Sequence, residues 1–116
     1  MFIIAFVMVP SEEVGVKIAR KILNERLAAC VNIKRDMRSL YWWDDKIQDA
    51  EEAMLIIKTK LGLYNEMEKI IRNEHPYKVP EIVAFPIARG YRPYMEWITR
   101  ETKVSEDDIG LRGLSF

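Results

Sequence analysis

From Leu27 to Lys60 the chain reads as one β-hairpin with arms too long for the domain that carries it. Leu27-Ala28-Ala29-Cys30-Val31-Asn32-Ile33 leads in, and Met54-Leu55-Ile56-Ile57-Lys58-Thr59 leads out. Between them, at the turn, stands Tyr41-Trp42-Trp43-Asp44-Asp45-Lys46. An arm from Ala28 to Trp43 spans on the order of 50 Å at the rise of an extended strand. A compact domain of comparable length has a radius of gyration near ~13 Å, so the ribbon must overreach its own fold. Two of the three tryptophans lie near its tip. A projecting ribbon with a bulky aromatic tip needs something to pack against.

The parity of the first arm divides it. Ala29, Val31, Ile33 and Met37 share one phase, whereas Leu40 and Trp42 take the other, with Arg35-Asp36 and Arg38-Ser39 interrupting between them. A period-two pattern that changes phase predicts a bulge near Asp36 to Ser39. The returning arm is also two-part, polar from Lys46 to Glu52 and apolar on both faces from Ala53 to Ile57. The root of the hairpin therefore belongs to the core sheet, and the tip half is a projecting ribbon.

Around the hairpin the remaining elements follow in order. Phe2 to Val9 is a continuous apolar run, predicted as a strand covered on both faces. Pro10 stops it and Ser11 caps a helix to about Arg26, with Glu12 and Glu13 in the first turn where the helix dipole favours negative charge. Val14, Ile18 and Ile22, flanked by Ala19, Leu23 and Leu27, make its apolar face. Leu61 to Glu74 predicts a second helix, weakened at Gly62 and ended by Pro76. Glu81 to Ala88 predicts a fourth strand at a sheet edge or with a bulge, because Pro86 lacks a ladder donor. Pro93 opens a last short helix whose apolar face is Tyr94, Trp97 and Ile98. The order β-α-β-β-α-β with a trailing helix is the split βαβ, or ferredoxin-like, α+β arrangement, with the helices on one face of an antiparallel sheet. The other face is left bare, and a bare apolar face calls for a partner. Residues 1–103 form one domain. The tail 104–116 reads as a mobile segment, or alternatively as one docked on a partner.

Composition narrows the function. The chain has 116 residues with 18 Lys and Arg against 18 Asp and Glu, and no basic stripe, which argues against a nucleic-acid partner. Cys30 is the single cysteine, which excludes an intrachain disulfide and fits a reducing compartment. The apolar start lacks a basic flank and a small-residue cleavage site, so no signal peptide is predicted. No later run approaches the ~18 apolar residues of a membrane span. A cytoplasmic protein with no membrane partner is the expectation.

Four segments carry a family resemblance. Glu25-Arg26-Leu27-Ala28-Ala29-Cys30-Val31-Asn32, Tyr41-Trp42-Trp43 before Lys46-Ile47, Leu55-Ile56-Ile57-Lys58-Thr59, and His75-Pro76-Tyr77-Lys78-Val79-Pro80-Glu81-Ile82 closely resemble the CutA family of divalent-cation-tolerance proteins. The similarity covers roughly the whole of the 1–103 domain in unbroken order. It implies a ferredoxin-like fold, a tight homotrimer shaped like the PII signalling proteins, and a loose link to copper and other divalent metals. Two positions depart from the family pattern. Asp44-Asp45 stands where the family commonly has an acidic residue followed by Gly, predicting a longer or strained tip. The copper site proposed for some members falls on Val7, Glu74 and His75, of which only His75 suits a soft metal.

His75 is the one histidine, and a lone imidazole before proline is more readily a capping or hydrogen-bonding residue than a metal ligand, so neighbouring copies would have to supply further ligands. Cys30, in an apolar run, reads as a buried, inert thiol. Tyr41, Trp42 and Trp43 read as assembly contacts, since aromatics are enriched at subunit interfaces. Trp42 is also expected to line an intersubunit cleft with Lys58, His75, Tyr77 and Glu81, a grouping that rests on the resemblance alone. One histidine and one buried cysteine give no nucleophile–base pair, and there is no Gly-rich phosphate loop, so no catalysis is expected. The reading is a cytoplasmic homotrimer of the CutA type, binding or regulatory, associated with divalent-metal tolerance, with copper or another divalent cation as a weak ligand and no obligatory cofactor. The alternatives are a PII-like sensor of a small anionic ligand in the clefts, and a trimeric scaffold using the tail 104–116 to dock other proteins.

Overall fold

A computed structural model of the chain describes residues 1–105 and 108. The elements are β1 (Phe2–Val9), α1 (Glu12–Asn24), β2 (Cys30–Trp43), β3 (Lys46–Lys60), α2 (Tyr64–Glu74), β4 (Ile82–Pro86) and α3 (Arg92–Glu101). A 3-10 turn, Leu61–Leu63, precedes α2. It occupies the stretch where Gly62 weakened the expected helix start. All strand pairs are antiparallel and the sheet runs β2-β3-β1-β4, the split βαβ order expected for this succession. β4 is shorter than the sequence predicted but stands at an edge, where Pro86 needs no ladder donor.

Ser11 caps α1, its hydroxyl accepting from the Val14 amide at 3.2 Å. At the other end Leu27 N donates to Ile22 O at 2.9 Å and Arg26 N to Leu23 O at 3.0 Å. This is a Schellman closure with Arg26 at φ 59° in the left-handed position that glycine usually takes. Arg26 is held there by more than its own turn: its carbonyl accepts from Lys103 N, and its guanidinium meets Glu101 at 3.0 Å. The end of α1 and the end of α3 are thus tied together.

The core lies between the helices and one sheet face. Ala5, Val7 and Val9 of β1, Leu55 and Ile57 of β3, Ile18 and Ile22 of α1, and Met67 and Ile71 of α2 are fully buried in it. Gly15 lets α1 settle onto the sheet, since a Cβ there would lie 3.0 Å from the Leu55 side chain and 3.2 Å from Val9. The opposite sheet face is open over much of its area. Phe2, Ile4 and Phe6 are only half-buried, which corrects the expectation of a β1 covered on both faces. The reason is that α1 and α2 lie on a single side of the sheet. At one end α3 covers the open face, where Ile98 is buried and the fully enclosed Lys60 donates to Lys103 O at 2.8 Å and to Asp108 at 2.6 Å. The expected mobility of the tail 104–116 falls outside the described residues, apart from 104, 105 and 108.

The hairpin is as long as its sequence implied. It stretches the molecule to 56 × 25 × 25 Å, with a radius of gyration of 15.6 Å. The predicted bulge is present: Lys34 pairs with Met54 and Met37 with Glu52, so Arg35-Asp36 oppose Ala53 alone. Asp36 takes the left-handed conformation at φ 59°. The tip is a two-residue turn with Asp44 at φ 55° and Asp45 at φ 60°, closed by Trp43 opposite Lys46. It is not longer than the family pattern; both aspartates accept the primed-turn conformation in place of glycine.

Candidate functional site

The bulge decides which side chains meet. At the root, Val31 opposes Ile57 and Ile33 opposes Leu55, so the odd-numbered residues of β2 face the helices. Beyond the extra residue, Tyr41 opposes Gln48 and Trp43 opposes Lys46. The odd-numbered residues now share the open face with Met54 and Glu52. Met37 moves with them, so it does not share a face with Ile33 as its parity suggested.

β1 ends opposite Ala53, and beyond that point β3 has no neighbour on that side. The loop after α2 fills the place. Met8 N donates to Glu81 O at 3.2 Å, and His75 N closes α2 on Ile71 O at 2.9 Å. The buried His75 ring then pins the loop to β1: Nε2 lies 2.7 Å from Met8 O, and Tyr77 N lies 3.1 Å from Nδ1. A carbonyl only accepts and an amide N–H only donates, so the proton sits on Nε2 and the Nδ1 lone pair is used. Tyr77 packs its ring 4.9 Å from that of His75 and donates its hydroxyl to Glu52 Oε2 at 3.1 Å. Burial, the Glu52 charge and hydrogen bond, and the nearby Tyr41 push the Tyr77 phenol up to about 12, so it remains a donor at neutral pH.

These groups wall a cleft of about 520 Å³. Met8 and Glu52 lie on its sheet side, Tyr41 and Trp43 on its ribbon side, and Pro76 to Val79 with Glu81 on its loop side. Of the residues expected to line a cleft between subunits, the structure brings Tyr77 and Glu81 together here, joined by Tyr41 and Trp43 from the expected assembly contacts. His75 supports the wall from beneath. Trp42 and Lys58 stand elsewhere. Trp42 is 72% exposed and opposes Ile47, with the phase that faces away from the cleft. Lys58 opposes Cys30 far down the open face, where its ammonium donates to Asn32 Oδ1. Cys30 is only partly buried, correcting the expectation of an enclosed thiol: β2 is an edge strand, and α3 alone leans over this position. Burial and the neighbouring Cys30 raise the Tyr94 phenol there.

Sequence reasoning missed Glu52, Met8 and Lys78. Glu52 lies in the polar run of the ribbon yet is 6% exposed, because Tyr77 arrives from a loop 25 residues later. The signal available was its even number, shared with Met54 and Ile56.

The residues do not form a metal centre within one subunit. Val7 is buried and offers no donor, Glu74 faces Lys17 at 3.9 Å, and both His75 nitrogens are engaged. Among the described residues no three His, Cys, Asp or Glu side chains are grouped to hold a metal ion, and no helix is long and apolar enough to cross a membrane.

With this geometry in hand, comparison with known proteins is informative. The profile of the CutA1 divalent ion tolerance protein family matches residues 3–101. A chloroplastic CutA 1 of Oryza sativa is 42% identical over 103 residues, which are 89% of this chain and 58% of the rice protein. The divalent-cation tolerance protein CutA of Thermus thermophilus is 41% identical over 99 residues, 85% of this chain and 96% of that protein. This chain thus spans little more than half of the rice relative. The crystal structure of the rice CutA1 superposes with a TM-score of 0.87 at 41% identity, covering 90% of this chain and 95% of that one. The periplasmic divalent cation tolerance protein CutA of Archaeoglobus fulgidus gives 0.86 at 35% identity, covering 89% and 100%.

Proposed function

The chain belongs to the CutA1 divalent ion tolerance family, and from that premise we propose that it is a homotrimeric, non-catalytic binding or regulatory protein of divalent-metal tolerance. The observation that carries the assembly is the surface one subunit leaves uncovered. Val83 and Phe85 on the open face, and Leu40, Trp42, Trp43 and Ile47 on the ribbon, are each more than 40% exposed. Apolar surface of that extent on a 56 Å body calls for further copies of the chain, and threefold closure is the arrangement the family resemblance implies. Sedimentation at micromolar concentration should give the mass of three subunits; a monomer would overturn the assembly.

Copper or another divalent cation is proposed as a weak ligand shared between subunits, since one chain groups no three ligands among its described residues and His75 would have to give up its bond to Met8 O or Tyr77 N to join them. Titrating Cu²⁺ and Zn²⁺ into the protein and into His75→Ala tests this. Equal affinities would remove His75 from the metal account. The lack of catalysis is proposed on the same ground: His75 has no free nitrogen for a base, and Cys30 sits beside Asn32 and Tyr94 without an imidazole. A cytoplasmic home is proposed on the single cysteine and the balanced charge; fractionation of the source cells decides it.

The cleft favours a second reading, a PII-like sensor of a small molecule. Its lining, two carboxylates against the one ammonium of Lys78, does not suit the anionic ligand first expected. A thermal-shift screen of small charged molecules tests it, and no shift with any of them would count against it.

A further inference from the structure

The Glu52 carboxylate is 6% exposed, yet among the described residues it forms no ion pair and takes a single hydrogen bond, from the Tyr77 hydroxyl. A carboxylate has about four acceptor sites, and burying its charge without a counter-charge is costly. Its second oxygen, Oε1, accepts from no described donor, and the residue lines the cleft. Oε1 is thus open to the cleft, since no enclosed side-chain oxygen or nitrogen among the described residues lacks a partner, and the rest of the lining suits a cation there. Tyr41, Trp43 and Tyr77 contribute aromatic side chains, whose faces carry the negative end of the ring quadrupole and attract cations. Glu81 adds a second carboxylate, and Lys78 is the only cation in the wall.

We infer that this cleft is a binding site for a small organic cation, a primary alkylammonium whose N–H groups bond Glu52 while its carbon chain lies against Tyr41, Trp43 and Tyr77. The volume, about 520 Å³, is that of a site for an organic molecule and far exceeds a bare ion. The walls are apolar and aromatic, whereas a divalent metal needs several oxygen or nitrogen ligands converging on one point. The site goes beyond the trimeric metal-tolerance reading: every group named belongs to one subunit, and binding requires that the assembly leave the cleft open.

Calorimetric titration of n-butylammonium into the full chain, at low and at physiological salt, tests the assignment. Binding is expected, weaker with tetramethylammonium, which has no N–H, and absent with butyrate and n-butanol. Glu52→Gln keeps an acceptor for Tyr77 and removes the charge, and should weaken binding by about tenfold or more. Trp43→Leu, on the half-exposed ribbon, should weaken it by about threefold and leaves the core untouched if Glu52→Gln fails to fold. Butyrate binding as well as the ammonium would overturn the site, as would an unchanged affinity in the variants. No binding to the wild-type protein would also overturn it, as expected if a cationic side chain of a second copy already fills the cleft.

Discussion

The two halves of the hairpin share one ladder and one reversal of the chain, but different forces hold them. At the root, β3 lies between β2 and β1, and Leu55, Ile57 and Thr59 are wholly enclosed. Past the bulge only two strands continue, with Leu40, Trp42 and Ile47 more than 60% exposed. A lone two-stranded ribbon is marginal in water, so its order depends on turn chemistry, cross-strand pairs and whatever packs on it. The Arg38–Asp49 pair is an example, bidentate at 2.9 and 2.7 Å; its hydrogen bonds raise the arginine and hold the aspartate below its usual range. Hydrophobic burial specifies the root, and geometry specifies the ribbon.

Substitutions can test that contrast. Leu55→Ala should have the largest effect, about 3 kcal/mol lost in urea unfolding, since it opens a cavity under α1. Ile47→Ala in the same measurement should cost within about 0.5 kcal/mol if the ribbon is free; a loss near that of Leu55→Ala would show the ribbon buried against another copy.

The root's last residue gives the next test. Lys60 is 4% exposed and depends on Asp108, so Asp108→Ala should cost about 2 kcal/mol by leaving a buried ammonium without its counter-charge. Burial pushes the Asp108 carboxyl up, but the Lys60 bond and the Ser105 amide outweigh it and hold the group below its ordinary value. Its folded value being the lower, its contribution is complete above the ordinary aspartate range and fades as pH falls through the folded value. The protection of the Ser105 amide against hydrogen exchange, taken relative to its intrinsic rate at each pH, should fall only at the acidic end.

Thr59→Val should lose about 1 kcal/mol with the buried bond from Thr59 Oγ1 to Leu27 O at 2.6 Å. The smallest change has the opposite sign: Asp45→Gly relieves a left-handed aspartate and should raise stability by about 0.5 kcal/mol. A loss there would show that the Asp45 side chain contributes at the tip.

Much of the fold was legible because it is local. The Ser11 cap, the apolar run of β1, the proline at the edge of β4 and the phase change in β2 are signals written within a few residues of their effect. The cleft was legible only in part. Tyr41 and Trp43 read only as assembly contacts, whereas Tyr77 and Glu81 come from one recognisable segment, so they could be grouped. Glu52 could not, because Asp49-Ala50-Glu51-Glu52 reads as a solvated ribbon until the loop closes over its last member. Lys58 stands apart from this cleft because six residues along a strand carry it roughly 20 Å from Glu52 on the same face, a separation that motif order does not reveal.

The bulge at Arg35-Asp36 has a consequence for how this chain can vary. It lets one strand be written in two reading frames, odd residues inward at the root and odd residues toward the cleft beyond. A single deletion there would remove the bulge and leave the pairs of the ladder in place, with Met37 still opposite Glu52 and Trp43 still opposite Lys46, so root and ribbon would both keep their faces. The extra residue therefore sets the bend and twist with which the ribbon leaves the sheet, while β3 keeps the choice of which side chains reach the cleft.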